Sequence, residues 1–473
     1  MSVQTFRTEA ATVRRRPLTP DVWAGVVLFA LLLVVYNANG REIPSYDSQP
    51  TKFAARELLL RGTLGLNHVV GAAPLLTERP AFVLARDGRY RSAYSPVPSV
   101  AAAAITWPVW KAGAVDVRGP NGAQVIAVVG ASAQTAAAVV LAFFTVRRRI
   151  SRLAALSLAS VLGVGTGYWH TVSQTLWQHE SAILGLALAV FALAAVRKDS
   201  GAPLLAVLGI GLALAVTSRL QLAPAVLVLL AATVFAAGAR RALIPLAITA
   251  AGIAVLLACN VRWFGSPMGA LPLLEALHPA VHATERSFNP SAGGFLGLLV
   301  SPNRGLLVYC PIAAVVLLAI RRRSRDEAIL QWCGLAALVQ YAAYGSYGVW
   351  WGGHTYGPRY MLDVLPLLVP LAASTVGLIR TSRPLATLAA AAAVWSVVVA
   401  GTGAFVYPDE RWNVDPRDVD RHHERLWDWS DLQIVRCWGT GSNTRNFNLF
   451  VRNTHDPPTP SAAAVPPPMN VEF

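Results

Sequence analysis

Long apolar runs separated by short arginine-rich breaks make up most of this chain. The first run is Val22–Tyr36. It is followed by Ala123–Val146, Leu153–Trp169, Ser181–Val196, Leu204–Val216, Leu222–Ala237, Leu243–Asn260, Gly305–Ile320, Ala328–Tyr344, Met361–Ile379 and Leu385–Val406. A membrane-crossing helix needs roughly 17–25 apolar residues, so several of these runs are short for the task. Drawn as alternating spans, they put Arg147–Arg149, Arg197-Lys198, Arg240-Arg241, Arg321–Arg325, Arg380–Arg383 and the N-terminus all on one side. Basic residues at span ends stay in the cytoplasm, so that side is predicted to be cytoplasmic. The pattern predicts an all-α polytopic membrane bundle of about 11 transmembrane helices, with the C-terminus outside. Val100–Trp110 is apolar but short, and Pro96, Pro98 and Pro108 are expected to break it. If it spanned, Arg147–Arg149 would face outward, so it is predicted to be a re-entrant or interfacial piece.

This layout divides the chain into a cytoplasmic segment 1–20, a transmembrane domain 21–406, an outer C-terminal segment 407–455 and a proline- and alanine-rich tail 456–473 that reads as disordered. Within the transmembrane domain, residues 39–122 form a large outer loop with interfacial helices. The other predicted outer segments are His170–Glu180, Ser218–Gln221, Val261–Arg304 and Gly345–Tyr360. Most of the chemically capable side chains fall in these outer segments.

Composition agrees with the pattern. Of 473 residues, 54% are hydrophobic and 14% charged, with a mean hydropathy of +0.46; soluble proteins carry about 25% charged residues. The net charge of +15 would suggest nucleic acid in a soluble protein. Here the arginines cluster at span ends, where they orient helices and meet anionic lipid, so no nucleic-acid partner is expected. The first run follows Arg14-Arg15-Arg16 without a clear cleavage site and reads as an uncleaved signal-anchor. The four cysteines show neither metal spacing nor a disulfide framework.

Candidate chemistry starts in the first outer loop. Asp47 precedes a short helix predicted from Gln49 to Arg61, with Pro50 in its first turn and Gly62 as its stop. Lys52 and Arg56, four apart, share one face of it. Asp47 is open to two readings: N-cap, or a base for an alcohol proton with cations nearby to hold a phosphate. Trp350-Trp351-Gly352-Gly353-His354-Thr355-Tyr356-Gly357-Pro358-Arg359-Tyr360 joins two spans on the outer side. An aromatic belt accounts for its rings, whereas Gly-Gly-His suggests a turn built for a ligand. Arg304, in Ser301-Pro-Asn-Arg-Gly, and Arg219, which interrupts an apolar stretch, are further phosphate-binding candidates. Trp177-Gln-His179-Glu180 lacks the second histidine of a zinc helix, because Ile183 stands there. No metal is predicted, and His179 is read as structural or as a substrate contact. Walker, dinucleotide and nucleophile-elbow motifs are absent.

Together these motifs resemble those of bacterial GT-C glycosyltransferases, relatives of the protein O-mannosyltransferases and the lipid A aminoarabinose transferases. The points of similarity are Tyr46-Asp47, Phe53-Ala-Ala-Arg-Glu-Leu, Tyr94-Ser-Pro-Val-Pro, Leu176-Trp-Gln-His, Phe264-Gly-Ser-Pro, Ser301-Pro-Asn-Arg-Gly-Leu and Trp350-Trp-Gly-Gly-His-Thr-Tyr-Gly-Pro-Arg-Tyr, in family order across most of the chain. The resemblance implies a bundle with its active site on the outer face of a bacterial plasma membrane. It also implies a polyprenyl-phosphate sugar as donor and Asp47 as catalytic base. The family often has Asp-Glu where this chain has Asp47-Ser48, so no role is carried over for a second carboxylate. No cofactor is implied beyond the lipid-linked donor. On this reading the reaction inverts the sugar, and the acceptor hydroxyl, on a glycan, lipid or protein, is unassigned. Arg304, Arg359, Arg219, Lys52 and Arg56 are the phosphate-binding candidates, in that order. His354 is assigned to sugar or phosphate, and Trp350 and Trp351 to stacking on sugar or lipid. The rival reading is a transporter or flippase of lipid-linked sugars, against which the scarcity of charge at span centres argues. A non-catalytic scaffold is the third reading.

Overall fold

The structure, a computed structural model, describes residues 19–270, 288, 290–317 and 328–449. The expectations for the N-terminal segment before residue 19, the Arg321–Arg325 loop and the 456–473 tail lie outside these residues.

The chain folds as a helical membrane bundle. Helix α1 (Pro20–Tyr36) starts at Thr19, whose hydroxyl accepts from Val22 N. The first loop then forms α2 (Ser48–Arg61), α3 (Asn67–Ala72), a hairpin of β1 (Phe82–Leu84) and β2 (Tyr90–Ser92) with Val83 opposite Arg91, and α4 (Val97–Lys111). Next come α5 (Gly122–Arg147), α6 (Arg152–Val164), α7 (His179–Leu193), α8 (Ala202–Ser218), α9 (Ala223–Ala237) and α10 (Ala239–Phe264). The last long elements are α11 (Ala292–Val300), α12 (Ala328–Gly345), α13 (Leu365–Thr381) and α14 (Arg383–Val406), with the short amphipathic α15 (Gln433–Thr440) beyond them.

Among the described residues, five helical stretches are long and apolar enough to cross a membrane: Gly122–Arg147, Leu220–Ala237, Ala239–Phe264, Arg359–Thr381 and Arg383–Val406. α1, α6, α7 and α8 are apolar but shorter. Two predicted segments differ from expectation. Gly305–Ile320 is not one helix over its described part, because Leu306–Tyr309 and Ala313–Leu317 are separate pieces. Pro311 has no N–H and drives the residue before it out of helical geometry; Cys310 accordingly sits at φ −139°, ψ 66°. Conversely, the prolines do not break α4. Pro96 and Pro98 lie at its start, where a missing N–H costs nothing, and Pro108 lies in its last turn.

Small residues let the helices approach closely. A Cβ on Gly185 of α7 would lie 2.5 Å from Ala215 N, and one on Gly211 of α8 would lie 2.7 Å from Ala189 N. The bundle has two unlike ends. At one, Asp21 accepts from Arg147 at 3.1 Å and Arg152 at 2.6 Å, and Arg380 donates to Ser151 Oγ. At the other, the C-terminal ends of α1, α8, α12 and α14 meet the N-terminal ends of α7 and α13. This end carries the first loop and residues 407–449, and the two are knitted together. Phe447 N donates to Asn39 O and Leu449 N to Gly40 O, while Arg41 binds the carbonyls of Ala404 and Tyr407 and the Asn446 side chain.

Candidate active site

Asp47 stands at the start of α2, but its side chain does not cap the helix. The turn is closed instead by Ser45 and Ser48: Ser48 N donates to Ser45 Oγ, and Ser48 Oγ donates to Ser45 O while accepting from Ser45 N. The Asp47 carboxylate is thereby released towards the junction of helix ends and keeps 32% exposure. Tyr94 Oη donates to Oδ1 at 2.8 Å, and Arg359 Nη1 lies 3.3 Å from Oδ2. Burial, reinforced by the Asp47 charge, holds the Tyr94 phenol well above its usual range, so it remains a donor.

Arg359 comes from the turn Arg359–Val364 that leads into α13. Its guanidinium lies over the Trp177 ring at 4.6 Å and the Tyr360 ring at 5.3 Å. Trp177 is presented by a left-handed Gln178 (φ 87°), a conformation unusual for a residue with a Cβ. Arg359 Nε and Trp177 Nε1 are buried without a hydrogen-bond partner among the described residues. The site beside Asp47 thus holds two buried donors unused among the described residues.

One layer deeper lies a closed polar cluster. His179 Nδ1 meets Asp363 Oδ1 at 2.7 Å, Arg219 Nη1 donates to His179 Nε2 at 3.1 Å, Arg219 Nε lies 3.1 Å from Asp363 Oδ2, and Tyr344 Oη donates to that same Oδ2 at 2.6 Å. Because Arg219 can only donate, His179 Nε2 accepts and Nδ1 carries the proton. Tyr344 stacks on Tyr360 at 5.1 Å, which links this cluster to Arg359. Arg219 therefore balances the buried Asp363, and His179 orients both.

Several residues expected to bind phosphate or sugar are engaged elsewhere. Arg304 is fully buried, and all five of its N–H groups are used within the chain: Nε to Trp351 O, Nη1 to Asn303 O and Gln433 Oε1, Nη2 to Gly353 O and Asn413 Oδ1. Lys52 is 2% exposed and pairs with Glu42 at 2.6 Å, whose other oxygen accepts from Thr175. Arg56 donates to the carbonyls of Val117, Arg118 and Gly119 and so fixes the start of α5. Lys52 and Arg56 do share a face, but that face is turned into the protein. Trp350 is buried against α11 at Gly297, and Trp351 donates its indole N–H to Asp420. His354 faces Asp418 and Asp420 rather than Asp47.

The structure adds Tyr94, Trp177, Tyr344, Tyr360 and Asp363 to the site. Asp363 had a signal in the sequence, since a carboxylate inside an apolar run requires a partner. Tyr94, Trp177 and Tyr360 lie in motifs legible in the sequence, but their convergence with Tyr344 depends on which helix ends meet.

No family model and no curated protein matches the chain. Solved structures similar to it include two of ArnT. One is the crystal structure of ArnT from Cupriavidus metallidurans bound to undecaprenyl phosphate, at 14% identity and a TM-score of 0.49, covering 89% of this chain and 76% of that one. The other is ArnT from the same organism in the apo state, at 13% identity and a TM-score of 0.47, covering 89% of this chain and 75% of that one.

Proposed function

We propose that this protein is a membrane glycosyltransferase of the GT-C kind that moves a sugar from a polyprenyl phosphate to an acceptor hydroxyl. It works at the outer face of a bacterial inner membrane, with inversion at the sugar carbon. The observation that carries this reading is the Asp47 carboxylate. It is released from capping, partly open, and held between the Tyr94 hydroxyl and the Arg359 guanidinium.

The chemistry needs little more. A sugar on a phosphate has a good leaving group, so no general acid is required. Asp47 takes the acceptor proton as the acceptor oxygen bonds to the anomeric carbon, and the carbon–oxygen bond to phosphate breaks with its electrons going to the phosphate. A glycosidase would instead need two facing carboxylates. Arg359, with its free Nε and with Trp177 beside it, takes the charge that develops on the phosphate. Arg219 sits behind it and holds Tyr360 in place through Asp363 and Tyr344. Arg304, Lys52 and Arg56 are assigned to the scaffold, since their donors are engaged.

The test is transfer from a panel of polyprenyl-phosphate sugars by detergent-purified protein. Asp47→Asn is expected to lower transfer by at least about 10²-fold with donor binding kept. Arg359→Ala is expected to weaken donor binding. Near-normal transfer by Asp47→Asn removes the catalytic assignment, and no donor binding by folded wild type across the panel removes the reading.

A further inference from the structure

We propose that His354, Asp418 and Asp420 form a binding site for one divalent transition cation of the zinc class, joining the Gly-Gly-His turn to the C-terminal segment. The inference does not depend on the glycosyltransferase reading. The three side chains come from two distant stretches and converge on one point. His354 Nε2 lies 3.1 Å from Asp418 Oδ1 and 3.5 Å from Asp420 Oδ2, and the three ligand atoms all lie within 4.8 Å of one another. A tetrahedral zinc ion with bonds of about 2.0–2.2 Å holds its ligands about 3.3–3.6 Å apart, so the observed spacing needs only small adjustments to close on an ion.

Charge makes the same case. One imidazole nitrogen carries at most one proton, yet it faces two carboxylate oxygens. A hydrogen bond from His354 serves one of them, and Asp418 Oδ1 also accepts from Asp420 N at 2.8 Å; a cation between the three atoms serves all.

The surroundings suit such a site. Trp351 Nε1 donates to the second oxygen of Asp420 at 2.7 Å, leaving Oδ2 aimed at His354. Hydrogen bonds of this kind orient carboxylate ligands around metals. All three side chains are part-exposed, which gives an ion a path in and leaves a fourth position for water. Gly352 and Gly353 take left-handed φ values of 77° and 69° and swing His354 away from Arg359 towards the C-terminal segment. An ion here fastens residues 418–420 to the turn that ends in Arg359. A nitrogen and two carboxylate oxygens favour zinc or manganese over magnesium, which prefers oxygen and retained water.

The experiment is zinc titration of chelator-stripped, full-length protein in detergent, followed by calorimetry and elemental analysis, with magnesium run in parallel. One zinc per chain is expected, with the midpoint of thermal unfolding raised by zinc. Binding should fall at least tenfold in His354→Gln and in the Asp418→Asn, Asp420→Asn pair. Each variant must match the wild type in size-exclusion profile and in unfolding under chelator; a variant that does not is replaced by cobalt spectroscopy of the wild type, where tetrahedral absorption bands are expected. Absence of stoichiometric zinc uptake, which would leave a histidine–aspartate ion pair only, overturns the proposal. So does zinc binding unchanged by all three substitutions, or uptake of magnesium in place of zinc.

Discussion

Two arginines that look alike in the sequence have opposite roles in the structure. Arg304 has every donor engaged by chain atoms, whereas Arg359 keeps one donor free beside a carboxylate. Removing a buried hydrogen-bonded charge leaves its partners unsatisfied, so Arg304→Ala is expected to destabilise by at least about 3 kcal/mol. Thermal unfolding should show this for Arg304→Ala, while Arg359→Ala should show a smaller shift and lose donor binding. In the sequence Arg304 stands first among the phosphate candidates for the fork of donors it offers in the Ser301-Pro-Asn-Arg-Gly motif, and partners more than 100 residues away are not visible there. A second residue-scale prediction concerns Glu410. Burial raises its carboxyl from 4.5 to about 7, with Gln433 donating to one oxygen. The folded chain therefore holds a proton that the unfolded chain releases between about pH 4.5 and 7, and stability falls as pH rises through that window. Glu410→Gln should flatten the difference in unfolding temperature between pH 5 and pH 8.

At the scale of elements, the apolar runs showed where helices form, because burial in lipid leaves a helix as the way to satisfy the backbone. They did not show where a run breaks: the Cys310-Pro311 interruption was legible from proline chemistry yet outweighed by hydropathy. The end of α2 was legible too, with Gly62 closing the helix at φ 66°. Which of Asp47, Ser45 and Ser48 would supply the cap was not, since all three can do so. The Gly-Gly-His turn has a measurable requirement. Gly353→Ala has no close clash, so its cost is the left-handed backbone alone, about 1–2 kcal/mol. Gly352→Ala carries the same backbone cost and also places its Cβ in van der Waals contact with Arg359, 3.4 Å from the free Nε. By covering that donor it is expected to weaken donor binding as well as stability, and comparing the two variants in unfolding and binding assays separates the effects.

For the molecule as a whole, the helix ends form the candidate site and the C-terminal segment packs on the same end of the bundle. Residues 407–449 do not dangle from the bundle: they hydrogen-bond to the first loop at Asn39, Gly40 and Arg41 and wrap Ser301–Arg304 through Leu426, Asn413 and Gln433. Truncation after Val406 should expose the first loop to protease while the helices stay protected, as limited proteolysis can show. The Arg304 node has a further consequence for how the protein is made. Its acceptors lie at Asn303, in the 351–353 turn, at Asn413 and at Gln433, so the last of them leaves the ribosome about 130 residues after Arg304 itself. Until then the Arg304 guanidinium lacks two of the acceptors that hold it in the folded chain. Closure of this node therefore waits for the end of the chain to fold back onto Ser301–Arg304.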